Sequence, residues 1–157
     1  MRCDLVFNSR EIEEKGGLVF DKALEVREFL EDGQPVGAWD RAFADRCLSG
    51  ACKVHLEFSI GGSRILLEGR IAGRWKLACS RCLAAHDLSF ETALEETYPS
   101  EGDRIDAGPE VREALILSVP QKSVCNPSCL GLCPGCGKNL NLEPCGCPPD
   151  RALASSR

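Results

Sequence analysis

Cysteine clustering constrains the fold of this chain more than any other feature of its sequence. The 157 residues include 11 cysteines, and eight of them lie in two tight groups, at residues 79–82 and 125–147. The amino-terminal residues do not lead into the continuous apolar stretch of a secretion signal, so we expect a cytoplasmic protein. In a reducing compartment, clustered thiols at short spacings bind metal more often than they form disulfides. The sequence therefore predicts a metal-binding protein.

The eight clustered cysteines divide into two sets of four, which is the ligand number of a closed tetrahedral metal site. One set lies within 15 residues and can close a site without the rest of the chain: Cys133, Cys136, Cys145 and Cys147. The other set would join Cys79 and Cys82 to Cys125 and Cys129. In the main alternative, Cys79 and Cys82 pair with Cys133 and Cys136 instead. In either pairing, the tail is docked through Cys79 and Cys82.

Four-thiolate coordination leaves no open position for a substrate, so such sites are usually structural. We expect one or two zinc ions. Iron is less favoured, although four thiolates also suit rubredoxin-type iron. The tail has few apolar residues, so hydrophobic burial cannot order it. A structural zinc ion supplies about 10–16 kcal/mol of binding free energy in small peptides, which is enough to order the tail. The residues not expected to be ligands are Cys3, Cys47, Cys52, His55 and His86.

Apolar and polar residues alternate with period 2 over much of residues 54–98, which predicts strands with one packed face and one wet face. Val54, Leu56 and Phe58 carry this pattern in the first of three strands. The second strand places Trp75 on its apolar face, where a core position is more plausible than a platform for stacking bases. The simplest arrangement of the three strands is an antiparallel meander.

The remaining sequence completes the predicted architecture. Residues 1–50 are ambiguous, because strand pieces at residues 18–20 and 24–26 and a short helix at residues 40–46 all fit the pattern. A helix is predicted from residue 110 to about residue 118, between Pro109 and Pro120. We therefore expect an α+β fold. A mainly antiparallel β-rich domain with a packed helix would cover residues 1–122, and a Cys-rich zinc-binding C-terminal module would cover residues 123–157.

The net charge of −5 hides a segregation of charge along the chain. Residues 49–85 carry six basic and two acidic side chains, whereas residues 86–113 carry two basic and nine acidic ones. A basic face in the first segment could contact RNA phosphates through Arg70, Arg74, Lys76 and Arg81. Alternatively, the acidic face of the following strand neutralises these cations through cross-strand pairs from Asp87, Glu91 and Glu95.

Several functional classes are not expected. The chain has no Ser-His-Asp set, phosphate-binding Gly-rich loop or HExxH motif, so neither an enzyme nor a small-molecule substrate is indicated. No run of 18 apolar residues could cross a membrane. The Cys79-x-x-Cys82 pair could act as a redox pair, but a thioredoxin-type motif begins a helix after a parallel strand. Antiparallel strands are predicted on both sides of this pair.

Three segments resemble the YceD family of large ribosomal RNA subunit accumulation proteins: residues 79–83, residues 112–120 and the tail. The tail is similar to the family pattern C-x-x-x-C-x-G-L-C-P-x-C-G-x-N-L-N followed by C-x-C, from Cys125 to Cys147, and it includes Asn139 and Asn141. Near the end, Asp150 and Arg151 depart from the family's D-P-R. The resemblance implies a role in the accumulation of large-subunit (23S) ribosomal RNA, without known catalysis.

We therefore predict a non-enzymatic ribosome-biogenesis factor, stabilised by zinc, that supports the accumulation or processing of large-subunit ribosomal RNA. Its partner would be pre-ribosomal RNA or a ribosomal or assembly protein. Two alternatives stay open. The acidic residues 86–113 could make the chain an adaptor that engages a basic ribosomal protein. The thiols could also make it a redox sensor that releases zinc on oxidation.

Overall fold

The computed structural model describes residues 5–25 and 50–147 of the chain. These residues contain six strands: β1 (Val6–Asn8), β2 (Leu18–Leu24), β3 (Cys52–Gly61), β4 (Arg64–Ala78), β5 (Ala85–Pro99) and β6 (Arg104–Asp106). They also contain two helices, α1 (Ser9–Lys15) and α2 (Gly108–Leu117). Neither of these helices is long and apolar enough to span a membrane. The helix considered at residues 40–46 lies outside the described residues.

Four strands form one sheet in the order β2-β3-β4-β5. β2 pairs antiparallel with β3, and β3 pairs antiparallel with β4, so that Leu56 lies opposite Phe20 on one side and Gly69 on the other. A second, two-stranded antiparallel ladder joins β1 to β6. The predicted, mainly antiparallel sheet is confirmed.

The core lies against one face of the four-stranded sheet. Its buried residues alternate along the strands, with Val54, Leu56 and Phe58 in β3 and Ile65, Leu67, Ile71 and Trp75 in β4. Trp75 stacks on Phe90 with ring centroids 4.7 Å apart, and its indole N–H donates to Ser118 Oγ at 3.2 Å. This hydrogen bond ties the end of α2 to β4. Trp75 is therefore a core residue, as predicted.

Gly69 allows the strands beside β4 to approach it closely. A Cβ atom at this position would lie 2.8 Å from Leu56 Cδ2 and 2.8 Å from Leu94 Cγ, which is closer than packed carbon atoms tolerate. A glycine in a strand often marks such a close approach. Because Gly69 has no side chain, Leu56 of β3 and Leu94 of β5 can both pack over β4 at this position.

The helices differ in part from the sequence prediction. α2 begins at Gly108 rather than residue 110, because Pro109 lies in its first turn, where its missing N–H is tolerated. α1 was not predicted, because it has seven residues and buries one apolar side chain, that of Ile12. Its ends carry the expected caps. Asn8 accepts a hydrogen bond from the Arg10 N–H, and Gly16 takes the left-handed conformation with φ 71°.

The described residues group into two compact units. One unit contains residues 5–25, 50–76 and 88–119, which include the core described above. The other contains residues 77–87 and 120–147 and holds all eight clustered cysteines. The predicted boundary near residue 122 stays a prediction.

Candidate metal centres

The knuckle, residues 79–84, is the turn after β4 that presents two of the clustered cysteines. Two backbone hydrogen bonds close it, from the Cys79 N–H to Ala84 O at 2.8 Å and from the Leu83 N–H to Cys79 O at 2.9 Å. Leu83 takes a left-handed conformation with φ 61°, which is uncommon for a residue other than glycine. The Arg81 N–H lies 3.4 Å from Cys79 Sγ. The turn therefore presents both a thiol pair and an N–H donor directed at one sulfur.

Hydrogen bonds hold the tail against the knuckle. The Ser80 N–H donates to Ser123 O at 2.7 Å, and the Ser123 N–H donates back to Ser80 Oγ at 3.1 Å. The Arg81 guanidinium donates to Cys129 O at 3.0 Å, and Arg81 O accepts the Leu132 N–H at 3.0 Å. These contacts fix the backbone on both sides of the next two cysteines along the chain.

Centre 1 is the set of four cysteines that the knuckle and the first part of the tail bring together: Cys79, Cys82, Cys125 and Cys129. Their sulfurs all lie within 4.8 Å of one another. The Sγ atoms of Cys79 and Cys129 are 3.8 Å apart, and those of Cys82 and Cys125 are 3.6 Å apart. Three of the four side chains are buried, and Cys125 is exposed. Centre 1 is thus largely shielded from solvent.

Centre 2 is the set of four cysteines within residues 133–147: Cys133, Cys136, Cys145 and Cys147. A tight turn positions the first pair, in which the Cys133 N–H donates to Lys138 O and the Gly137 N–H donates to Cys133 O, both at 2.8 Å. Gly137 permits this turn because its φ is 75°. The Sγ atoms of Cys133 and Cys145 are 3.3 Å apart. Only Cys133 is buried, so centre 2 is more open to solvent than centre 1.

Both sets of sulfurs fit a tetrahedral metal ion. Four thiolates at the usual zinc–sulfur distance of about 2.3 Å lie about 3.8 Å from one another. The Sγ separations of 3.3–3.8 Å are close to this value, and they far exceed the roughly 2.05 Å of a disulfide. All nine cysteines in the described residues are free. The eight sulfurs come together in the first of the two pairings considered from the sequence.

Within each centre, hydrogen bonds lower the pKa of some thiols and raise the pKa of others. The backbone N–H groups of Cys125 and Cys82 lower the pKa of Cys79 to about 5, whereas the Cys82 sulfur raises the pKa of Cys125 to about 12. At centre 2, the backbone N–H of Cys136 lowers the pKa of Cys133 to about 6. The Cys136 sulfur raises the pKa of Cys147 to about 12. Each centre therefore has at least one sulfur whose surroundings favour the thiolate, which is the form that binds a metal ion.

The residues not expected to bind metal have other surroundings. Cys52 is fully buried in β3, and burial raises the pKa of its thiol to about 11. His86 Nε2 lies 2.6 Å from Ser123 Oγ, and His55 Nδ1 lies 3.4 Å from Asp21 Oδ2. Cys3 and Cys47 lie outside the described residues.

Two residues around centre 1 have contacts that the sequence analysis did not anticipate. Gly131 has a φ of 78°, and a Cβ atom there would lie 3.2 Å from Arg81 O, so glycine lets the tail pass close to the knuckle. Asn141 donates from its side-chain amide to Cys129 Sγ at 3.3 Å. Both residues match the family pattern quoted above. The match to the family pattern is the one sequence signal that points to these two residues, but it does not indicate what either residue contacts.

Three of the four residues predicted to contact RNA are exposed on β4: Arg70, Arg74 and Lys76. Lys53 of β3 is also exposed and lies opposite Ala72, between the positions of Arg70 and Arg74. Within residues 5–25 and 50–147, no ion pair joins these four cations to an acidic side chain. The cross-strand ion pairs considered as the alternative are therefore not found among these residues. Arg81 belongs to the other compact unit and donates to backbone carbonyls of the tail.

Comparison with known proteins gives partial matches to the chain. A family model described as "Large ribosomal RNA subunit accumulation protein YceD" matches residues 92–155. A Zea mays protein named "Large ribosomal RNA subunit accumulation protein YCED homolog 1, chloroplastic" is 35% identical over 86 residues, which cover 54% of this chain and 28% of that protein. An uncharacterized protein of Mycobacterium tuberculosis is 31% identical over 97 residues, covering 51% of this chain and 47% of that protein.

The chain thus covers less than half the length of these two curated relatives. No solved structure matches it.

Proposed function

We propose that this chain, which belongs to the YceD family through residues 92–155, acts without catalysis in the accumulation of large-subunit ribosomal RNA. The observation that carries the proposal is the overlap between the family match and the cysteine-rich tail. Residues 92–155 contain six of the eight clustered cysteines. The tail is therefore part of the segment shared with proteins named for ribosomal RNA accumulation. The proposed place of action is the cytoplasm.

In this proposal the metal is structural zinc, with one ion held by the four cysteines of centre 1 and a second by those of centre 2. Zinc cross-links distant parts of the chain and neutralises thiolate charge, and four thiolates leave it no open position for a substrate. The chain itself supplies N–H donors to the sulfurs, from Arg81 at centre 1 and from Gly135 at centre 2. The zinc-ordered tail would then present a fixed surface to the ribosomal partner.

The exposed cations of β3 and β4 support RNA as that partner. Residues diagonal to each other across an antiparallel pair lie about 7–8 Å apart, so Lys53 is within reach of the same phosphates as Arg70 and Arg74. Lys76 extends this row by one further exposed position on the same strand. Contacts of this kind bind the RNA backbone without reading its sequence. We therefore assign phosphate binding to the basic row of Lys53, Arg70, Arg74 and Lys76.

Depletion of the protein from cells tests the role in ribosomal RNA accumulation. We expect the ratio of large-subunit to small-subunit ribosomal RNA to fall, because immature large-subunit RNA would lose its protecting factor. Expression of the wild-type chain should restore the ratio, and quantification of both RNAs by gel or sequencing measures it. A normal ratio after complete depletion contradicts the proposal.

Charge reversal tests the basic row separately. We expect a chain carrying Arg70→Glu and Arg74→Glu to bind large-subunit ribosomal RNA at least about tenfold more weakly, because two side chains then repel phosphate. The slope of log affinity against log salt should fall by about one for each lost phosphate contact. A filter-binding titration over several salt concentrations measures both quantities.

Arg64→Glu is the control, because it reverses an exposed arginine at the opposite end of the same strand. It should keep an affinity close to that of the wild type. Equal weakening by the control and the double variant contradicts the assignment to the basic row. If a ribosomal protein still co-purifies with the chain after nuclease treatment, the partner is that protein, as expected for the acidic segment 86–113 acting as an adaptor.

A further inference from the structure

Asn141 belongs to the loop of one centre and contacts a ligand of the other. Along the chain it lies between Cys136 and Cys145, inside the segment that centre 2 encloses. Its side-chain N–H donates to Cys129 Sγ in centre 1 at 3.3 Å. Its Oδ1 accepts the backbone N–H of Leu130, the residue after Cys129, at 2.8 Å. A single side chain of the centre 2 loop therefore supports both a centre 1 sulfur and the backbone beside it.

The position of this side chain depends on how the loop is folded. Asn139 Oδ1 accepts the backbone N–H of Asn141 at 3.0 Å and its side-chain N–H at 2.8 Å. Asn139 O accepts the backbone N–H groups of Leu142 at 3.1 Å and Glu143 at 3.2 Å. These bonds form a compact turn whose flanking residues, Cys136 and Cys145, are ligands of centre 2. A ligand set that holds both sides of the turn also fixes the Asn141 side chain.

We propose that Asn141 is a positioning residue that couples the two centres, so that metal at one centre raises the metal affinity of the other. This inference rests on the proposed binding of metal at both centres. Hydrogen bonds to a metal ligand fix its orientation, and their loss costs about 10–100-fold in metal affinity. When centre 2 is empty, its loop is no longer held by ligands and the bond to Cys129 is weakened. Coupling between binding sites is reciprocal, so centre 1 acts on centre 2 by the same factor.

Titration of the full chain with Co²⁺ tests the coupling, because visible absorption reports tetrahedral thiolate coordination. We expect a chain with Cys145→Ser and Cys147→Ser, which lacks two ligands of centre 2, to bind Co²⁺ at centre 1 about 10–100-fold more weakly. Asn141→Asp removes the N–H donor but keeps an oxygen for Leu130. With all cysteines present, Asn141→Asp should weaken Co²⁺ binding at centre 1 by a similar factor. When Cys145→Ser and Cys147→Ser are added to Asn141→Asp, the affinity of centre 1 should not fall further.

Asn126→Asp is the matched control. It adds the same charge within the same unit, and the Asn126 side chain accepts from the Ser128 N–H at 2.9 Å through its Oδ1. This variant should keep the wild-type coupling. An equal loss of affinity in Asn126→Asp and Asn141→Asp overturns the role of Asn141. A centre 1 affinity within about twofold of the wild type after loss of centre 2 overturns the coupling itself.

If the double serine variant does not fold, the cooperativity of Co²⁺ loading in chains with all cysteines present tests the coupling instead. The wild-type chain should load two Co²⁺ ions cooperatively, and Asn141→Asp should load them independently. Equal cooperativity in both chains contradicts the inference. A wild-type chain that binds fewer than two ions contradicts instead the proposed metal binding, so the two failures can be told apart.

Discussion

Chelation of the metal proposed at the two centres is expected to unfold residues 120–147 while the sheet core keeps its structure. Within residues 120–147 the buried positions are Ser123, Cys129, Gly131 and Cys133, so hydrophobic burial contributes little to their order. Each structural zinc ion contributes about 10–16 kcal/mol in small peptides near neutral pH, which makes its loss decisive. Elemental analysis should find two zinc ions per chain. Amide NMR spectra before and after chelation should show selective loss of dispersed signals from the tail.

Cys52→Ser is the control for this experiment, because Cys52 is a buried cysteine that belongs to neither centre. This variant should retain both ions, whereas loss of Cys79 and Cys82 should remove the ion of centre 1. A tail that stays rigid without metal contradicts the prediction. Disulfides among the eight cysteines, detected by mass spectrometry, also contradict it. If elemental analysis finds iron instead of zinc, the metal assignment is wrong, but the four-sulfur geometry of each centre is unaffected.

Trp75→Ala is expected to lower the free energy of unfolding by about 3–5 kcal/mol. Trp75 is 1% exposed and stacks on Phe90, so its removal leaves a cavity between β4 and β5. Domains of this size are stabilised by about 5–15 kcal/mol, so the variant should lose a large share of its total stability. Urea denaturation followed by far-ultraviolet circular dichroism measures the change.

Trp75→Phe separates packing from hydrogen bonding at the same position. The smaller ring can still stack on Phe90, but it cannot donate to Ser118 Oγ as the indole does. We expect this variant to lose less stability than Trp75→Ala, with about 1 kcal/mol of its loss due to the missing hydrogen bond. Equal losses in the two variants would contradict a packing role for the ring.

Strands β3, β4 and β5 could be predicted because each presents one face to the core. Alternation of buried and wet side chains is a local signal, and it is clear at Leu56, Phe58 and Trp75. β2 lies at the end of the strand order, and its residues 21–23 are exposed in succession, so the same signal is interrupted. α1 buries too few apolar side chains to show a helical period. The structure shows this helix, with its caps at Asn8 and Gly16.

At the metal centres, spacing along the chain indicates which cysteines lie close together, because a short segment cannot separate them far. Spacing cannot indicate which side chains of other types approach the sulfurs. Asn141 contacts Cys129 across 12 residues, and Arg81 donates to Cys129 O across 48 residues. Charge pattern alone groups Arg81 with the residues predicted to contact RNA. It cannot distinguish a cation that serves a backbone carbonyl from one that faces solvent.

The separation of the centre 1 cysteines in the sequence has a consequence for biosynthesis. Cys79 is 50 residues from Cys129, whereas Cys133 is 12 residues from Cys145. Because a nascent chain emerges from its amino-terminal end, the knuckle thiols leave the exit tunnel well before their tail partners. During that interval they are open to oxidants and to mismatched metal ions. Maturation of centre 1 therefore has to wait for translation of the tail, and premature termination before residue 125 would leave a thiol pair with no partners.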